Sequence, residues 1–410
     1  MMGSDAATSP ELESIREKVA AGERLSAADG EFLFQPESDL HAVGELADVV
    51  RRRRHGDVAY YNVNVHLNPT NVCVWRCPLC AYSCDPGDRR AYVMKIDEML
   101  AEAAQAADEG ATELHVVSGL HPEKPFDWYL EITRRLHEAA LALHLKAWTA
   151  VEIAWFARIS DQPIQAVLEQ LIEAGLGSMP GGGAEIFDPQ VRRRIAPGKP
   201  PADVWLDVHR TAHRLGLRTN ATMLYGHVES PRHRVDHLLR LRELQDEMGG
   251  FQAFIPLVFH PAGTQLARKG DRSNLCEAPC GRAPTFGWSR QLGPVPFLPL
   301  EKTSGLDDLR TTAASRLLLD NFDHVKAYWI SLGVGTAQVA LAYGADDLDG
   351  TVRQERIHHD AGSRSPQALT VSELRRLIAE TGCTPVERDS LYRPVRRKES
   401  DGGGSDGIME

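Results

Sequence analysis

The chain has 410 residues, 42% of them hydrophobic and 25% charged, with a formal net charge of −11. That acidic balance argues against a nucleic-acid partner, and no apolar run approaches the roughly 18 residues of a membrane-spanning helix. Met1-Met-Gly-Ser-Asp lacks the basic and apolar regions of an export signal, and seven cysteines suit thiol or metal chemistry better than a disulfide framework, so a cytoplasmic protein is expected.

Residues 1–58 read as a helical extension. Leu12, Ile15 and Val19 recur at helical spacing, Ser26 opens a capped turn, and Leu40, Val43, Leu46, Val49 and Val50 mark a helix ending in Arg51–Arg54. That basic run reads as a solvated helix C-terminus, where cations are favoured. From Tyr61 the pattern changes. Strands are expected at Tyr61–Leu67, Glu113–Ser118, His144–Thr149, Gly177–Pro180, Arg218–Leu224, Gln252–Leu257 and Val325–Ile330, with an eighth near Asp349–Val352. Helical stretches at Ile96–Asp108, Phe126–Leu141, Ile164–Glu173, Pro201–Leu215, Arg234–Glu247 and Leu306–Asn321 fall between them. Strand–helix alternation repeated six to eight times predicts an α/β fold, a parallel (β/α) barrel over about residues 59–395. The proline- and glycine-rich stretch 261–305 reads as an irregular insertion, and 396–410 as a disordered tail.

The densest chemistry is Cys73-Val-Trp-Arg-Cys77-Pro-Leu-Cys80, delivered by the first strand and the breaker Asn68-Pro69-Thr70-Asn71. Three thiolates on one loop can hold three corners of a cubane iron–sulfur cluster and leave one iron open. The competing readings are a zinc knuckle completed by Cys84 or a histidine, and structural thiols with no metal.

Barrel active sites lie at the C-terminal ends of the strands, so each strand end is informative. The second ends in Ser118-Gly119-Leu-His121, where a glycine permits close approach to a ligand and His121 is a substrate or proton-transfer candidate. The third ends in Thr149-Ala-Val-Glu152, whose carboxylate can meet ribose hydroxyls or an ammonium, or else cap a helix. The fourth ends in Gly181-Gly182-Gly183-Ala-Glu185; with no following Lys-Ser/Thr this is not a nucleotide P-loop. The fifth carries Asn220, Thr222, Tyr225, His227 and Glu229, and the sixth leads to His260.

The cysteine spacing in its strand-then-loop context resembles the radical S-adenosylmethionine superfamily, in which the open iron is chelated by the cofactor's amino and carboxylate groups. His66–Asn68 with the cysteine loop, Glu113–Pro122, Gly181–Asp188, Ala221–Glu229, Arg234–Asp246, Gly249–Leu257 and Gly344–Val352 extend the likeness to the aminofutalosine synthases of the futalosine route to menaquinone. Cyclic dehypoxanthine futalosine synthases and deazaflavin-precursor synthases are the alternatives within the superfamily. A non-catalytic iron–sulfur electron-transfer protein is the alternative outside it.

The resemblance implies a transferase that adds a 5′-deoxyadenosyl radical to 3-[(1-carboxyvinyl)oxy]benzoate. It also implies a 4Fe–4S cluster on Cys73, Cys77 and Cys80, S-adenosylmethionine consumed as cosubstrate, and a one-electron donor such as flavodoxin or ferredoxin. The expected cofactor contacts are Tyr82, Ser118, Gly119, Thr149, Glu152, Gly182, Glu185 and Asn220, and the catalytic candidates are His121, His227 and Glu229. Arg192–Arg194, Lys199, His121 and His227 are candidates for the substrate carboxylates. Leu79 departs from the aromatic residue usual before the third cysteine, and the Cys276–Cys280 pair has no place in the family pattern.

Overall fold

A computed structural model of the protein describes residues 9–267 and 301–397. Cys276, Cys280, most of the 261–305 stretch and most of the tail fall outside the described residues.

Ten strands form two parallel sheets. They are β1 (Val58–Asn62), β2 (Asn64–Leu67), β3 (Glu113–Val116), β4 (His144–Ala147), β5 (Ser178–Met179), β6 (Arg218–Tyr225), β7 (Phe251–Val258), β8 (His324–Val325), β9 (Asp347–Gly350) and β10 (Thr384–Glu387). Strands β2 to β8 pair in chain order as one seven-stranded sheet, while β1 lies between β10 and β9 in a second sheet. Parallel bridges Lys326–Asp347 and Val65–Arg353 set β9 beside the open edges of the larger sheet. Helices connect the successive strands of the larger sheet, as parallel pairing requires. The apolar residues of both form one continuous core that includes Leu114, Leu145, Met179, Met223, Phe254 and Val325.

The structure departs from the expected strands at three places. The run 61–67 is two strands in different sheets, broken at Val63. The expected strand 325–330 is two residues long in the sheet, and Trp329–Leu332 is helical. The eighth strand, β9, belongs to the second sheet, as does β10, which the alternation pattern did not suggest.

The N-terminal helices follow their caps. Ser9 accepts the N–H of Leu12 before Pro10–Ala21, Ser26 and Asp29 form a capping box on Ala27–Leu33, and Asp39 caps Leu40–His55. The last of these packs along helix Gly305–Leu318. Its terminal arginines are not all solvated: Arg51 is 1% exposed, paired to Asp48 at 2.7 Å and donating to the Gly56 carbonyl. Arg52 stays in water.

Candidate active site

A cavity of about 300 Å³ opens within the larger sheet, at the C-terminal ends of its strands. Cys73, Cys77 and Cys80 line one end of it; Cys84 does not. The loop that carries them is built by side-chain-to-backbone hydrogen bonds. Asn68 donates to the Val117 carbonyl at 2.8 Å, Asn71 donates to the Arg90 carbonyl and accepts the Tyr92 N–H, and Thr70 accepts the Val72 N–H. The buried Cys84 continues this framework through its backbone, giving its N–H to Asn71 and accepting that of Cys73. Burial pushes the Cys77 thiol up to about 12 and raises Cys73 as well, so metal binding would have to displace their protons.

Among the described residues, only His55, His324 and Asp346 bring three metal-ligating atoms within 4.8 Å of one another. The loop thiols stand farther apart. A single zinc with bonds of about 2.3 Å gathers its sulfurs inside that limit, whereas a cubane offers each thiolate a separate iron. The donor set and its spread fit the cluster.

Gly119 lines the cavity beside the loop. A Cβ there would lie 2.4 Å from the Val72 carbonyl oxygen, so the close approach that demands glycine is made by the cysteine loop's own backbone. In the glycine triplet, a Cβ on Gly181 would strike the β6 backbone at 2.7 Å. Gly183 has φ +84° and abuts Val151; Gly182 meets only a methyl of Thr149.

Glu152 is 2% exposed and caps helix Ala150–Ser160 in a box with Thr149. One oxygen accepts the Thr149 N–H and the other the Ser118 N–H, each at 2.7 Å. Burial raises its pKa to about 7 against those hydrogen bonds. It borders the cavity, yet both of its oxygens are engaged by the backbone, which favours the helix-capping reading.

Glu185, with φ +50°, is bonded to Lys199, and both line the cavity. Burial raises the Glu185 carboxyl, but Lys199 more than offsets this and holds it below the ordinary carboxylate range. Tyr82 also lines the cavity, with its hydroxyl 2.6 Å from that of Tyr92. Thr149 and Asn220 complete the expected cofactor wall. Ser118 Oγ, Asn68 Oδ1 and Asn220 Oδ1 are buried without a partner among the described residues, and all three residues line the cavity. Unpaired buried polar atoms are costly, and these provide one hydroxyl and two acceptors for the amino and hydroxyl groups of a bound cofactor.

The structure does not bring the expected catalytic residues into the cavity. His121 is 7% exposed, with Nδ1 accepting the Glu123 N–H. His227 and Glu229 face each other at 2.8 Å behind the wall. Glu229 accepts the Gly226 and His227 N–H groups and pairs with Arg234, which reaches Asp307. This is a turn held by a buried ion network. Arg192 also points away, donating to the carbonyls of Gly183, Ala184 and Pro200. Of the proposed cations only Lys199 reaches the cavity among the described residues.

The same cavity is lined by His66, His115, His260, Tyr328, Asp349, Glu355 and His358, of which only His260 was singled out from the sequence. A signal for His66 was available: Asn64, His66 and Asn68 are polar at every second position, the period of an inward-facing strand row.

Residues 67–241 match the family model described as Radical SAM superfamily, and residues 299–400 match the CofH/MqnC C-terminal region. The chain is 47% identical over 387 residues to an aminodeoxyfutalosine synthase of Thermus thermophilus, covering 94% of this chain and 96% of that protein. It is 45% identical over 396 residues to an aminodeoxyfutalosine synthase of Streptomyces coelicolor, covering 96% of each. A crystal structure of methylornithine synthase superposes with a TM-score of 0.66 at 17% identity, over 90% of this chain and 97% of that one, which is a likeness of fold.

Proposed function

The chain belongs to the aminodeoxyfutalosine synthase family of radical S-adenosylmethionine enzymes, and we propose that it performs that family's addition reaction on 3-[(1-carboxyvinyl)oxy]benzoate. Its cofactors are a 4Fe–4S cluster and S-adenosylmethionine. When bound, they would supply, with release of methionine, a 5′-deoxyadenosyl radical for addition to the enolpyruvyl double bond; rearrangement onto the aryl ring and loss of the carboxylate as bicarbonate or carbon dioxide complete the family's route to aminofutalosine.

The observation that carries the proposal is the juxtaposition within one cavity of three loop thiols and three unpartnered polar atoms. In this reading Cys73, Cys77 and Cys80 hold the cluster. Ser118, Asn68 and Asn220 orient the amino and hydroxyl groups of S-adenosylmethionine, with Tyr82, Gly119, Thr149 and Gly182 shaping the wall. Glu152 keeps the β3 and β4 ends in register, and the Glu185–Lys199 pair holds the end of β5. The apolar wall of Leu224, Ile255, Leu257 and Phe259 excludes water from the reacting carbon.

No described helix is long and apolar enough to cross a membrane. A cytoplasmic location, a flavodoxin- or ferredoxin-type electron donor, and a division into an N-terminal helical extension to residue 58 and a barrel domain from 59 to 395 complete the proposal. Anaerobic incubation with S-adenosylmethionine, dithionite and the benzoate ether tests it. Aminofutalosine is the expected product; methionine release without an adduct would refute the substrate assignment.

A further inference from the structure

The floor of the cavity holds a pair of histidines that the cysteine loop and the cofactor wall leave unused. His66 and His115 are register partners on β2 and β3, and their rings stack with centroids 4.5 Å apart at 26°. Both line the cavity. Because β2 rises into the cysteine loop, His66 lies seven residues before Cys73, deeper in the barrel than the thiols. Among the described residues no hydrogen bond reaches either ring nitrogen of His66, and the nearest carboxylate to the His115 ring is Glu113 at 4.0 Å.

The other charged and imidazole groups at this end are already engaged, while the Tyr328 hydroxyl makes no hydrogen bond among the described residues. Asp349 meets Asn64 at 3.2 Å and Lys326 at 3.4 Å. Glu355 accepts the His358 N–H at 2.8 Å and lies 2.9 Å from His359 Nδ1. His260 donates to the Ser331 carbonyl. The described lining contains no arginine, and its lysine, Lys199, is bonded to Glu185. A ligand with two carboxylates entering this cavity therefore finds its unengaged protonatable donors at the floor in the two imidazoles.

We propose that His66 and His115 together bind the ring carboxylate of the aryl dicarboxylate substrate. The assignment rests on the reading of the substrate given above. The vinyl carbon must come within about 3–3.5 Å of the attacking carbon for addition, which keeps the enol carboxylate beside the cofactor at the rim. The meta carboxylate lies across the ring from it and is the end that reaches the floor. Stacked imidazoles present parallel N–H edges to the two oxygens of one carboxylate.

The charged and titratable groups facing the pair are Glu113, Lys146, Asp349, Glu355 and His358, and burial pushes His115 down to about 3. Both rings are thus neutral when the floor is empty, and an arriving carboxylate favours their protonated form. Substrate binding should take up a fraction of a proton.

The test is calorimetric titration of the cluster-loaded, unreduced protein with S-adenosylmethionine present. It compares 3-[(1-carboxyvinyl)oxy]benzoate with its analogue lacking the ring carboxylate. The wild type should prefer the full ether by about 10–100-fold, the worth of a charge-assisted pair of hydrogen bonds. H66Q and H115Q should lose most of that preference by weakening for the full ether, while their affinity for the analogue moves little. Titration of the wild type in buffers of different ionisation enthalpy should show proton uptake with the full ether only. If the variants keep the wild-type preference, the assignment is wrong. If they do not fold, a wild type that binds the full ether and the analogue equally well overturns it. A wild type that does not bind the ether at all refutes the substrate reading itself and this assignment with it.

Discussion

Glu152 accepts the backbone N–H of Ser118 at 2.7 Å, tying the helix after β4 to the end of β3. The contact lies 34 residues apart in sequence and fixes the strand end beside the cysteine loop. Glu152→Gln replaces one accepting oxygen with a donor facing an N–H, so a loss of roughly 1.5–3 kcal/mol of stability is expected. Chemical unfolding measures it.

The same residue predicts a pH dependence. Burial pushes its carboxyl up to about 7, from an ordinary glutamate value of 4.5. The folded state therefore holds the extra proton between those values, and the stability contributed by Glu152 falls as pH rises from about 4.5 to 7. Subtracting the Glu152→Gln unfolding curve from that of the wild type cancels other groups. The wild-type advantage should shrink from pH 5 to pH 8; a flat or growing difference would contradict the burial argument.

Cys73→Ala, Cys77→Ala and Cys80→Ala should each lose bound iron and sulfide. Cys84→Ala should retain both, since Cys84 faces the Asn71 backbone at the back of the loop, and should cost about 1 kcal/mol through the small cavity left. Iron and sulfide content after anaerobic reconstitution separates the two outcomes.

Gly119→Ala places a methyl against the Val72 carbonyl. The backbone cannot yield as a side-chain tip would, so the cysteine loop must shift. About 1–3 kcal/mol of destabilisation is expected, together with poorer cluster loading, read by thermal melting and iron content on the same sample. Normal loading would mean that the loop tolerates the displacement.

The cysteine loop was legible because three thiols within eight residues, after a strand and a breaker, leave few structural explanations. The parallel alternation was legible because β3 and β4 alternate in polarity and β7 is largely apolar, with helical periods between them. Other features were not. Val63 breaks β1 from β2 without a glycine or proline to mark it, and β10 reads Thr-Pro-Val-Glu, with a proline that argues against a strand. Thr149-x-x-Glu152 satisfies both a capping box and a rim carboxylate in sequence, and geometry favours the cap. His227 and Glu229 looked like chemistry because they follow a strand, yet their turn folds back against Arg234 instead of opening to the cavity. His66 and His115 lie in stretches that carry the family likeness, but the sequence assigns neither a role, because each is a single residue within a short alternating strand. Only the register of β2 on β3 makes them a pair.

The central claim is that the adenosyl group is added to the substrate and not used to abstract hydrogen. Turnover with S-adenosylmethionine labelled in its ribose, dithionite and the benzoate ether, followed by mass spectrometry, tests it most directly. The account predicts the ribose label in aminofutalosine, with 5′-deoxyadenosine only a minor by-product. Stoichiometric labelled 5′-deoxyadenosine, together with a cyclised product when dehypoxanthine futalosine is supplied, would contradict it.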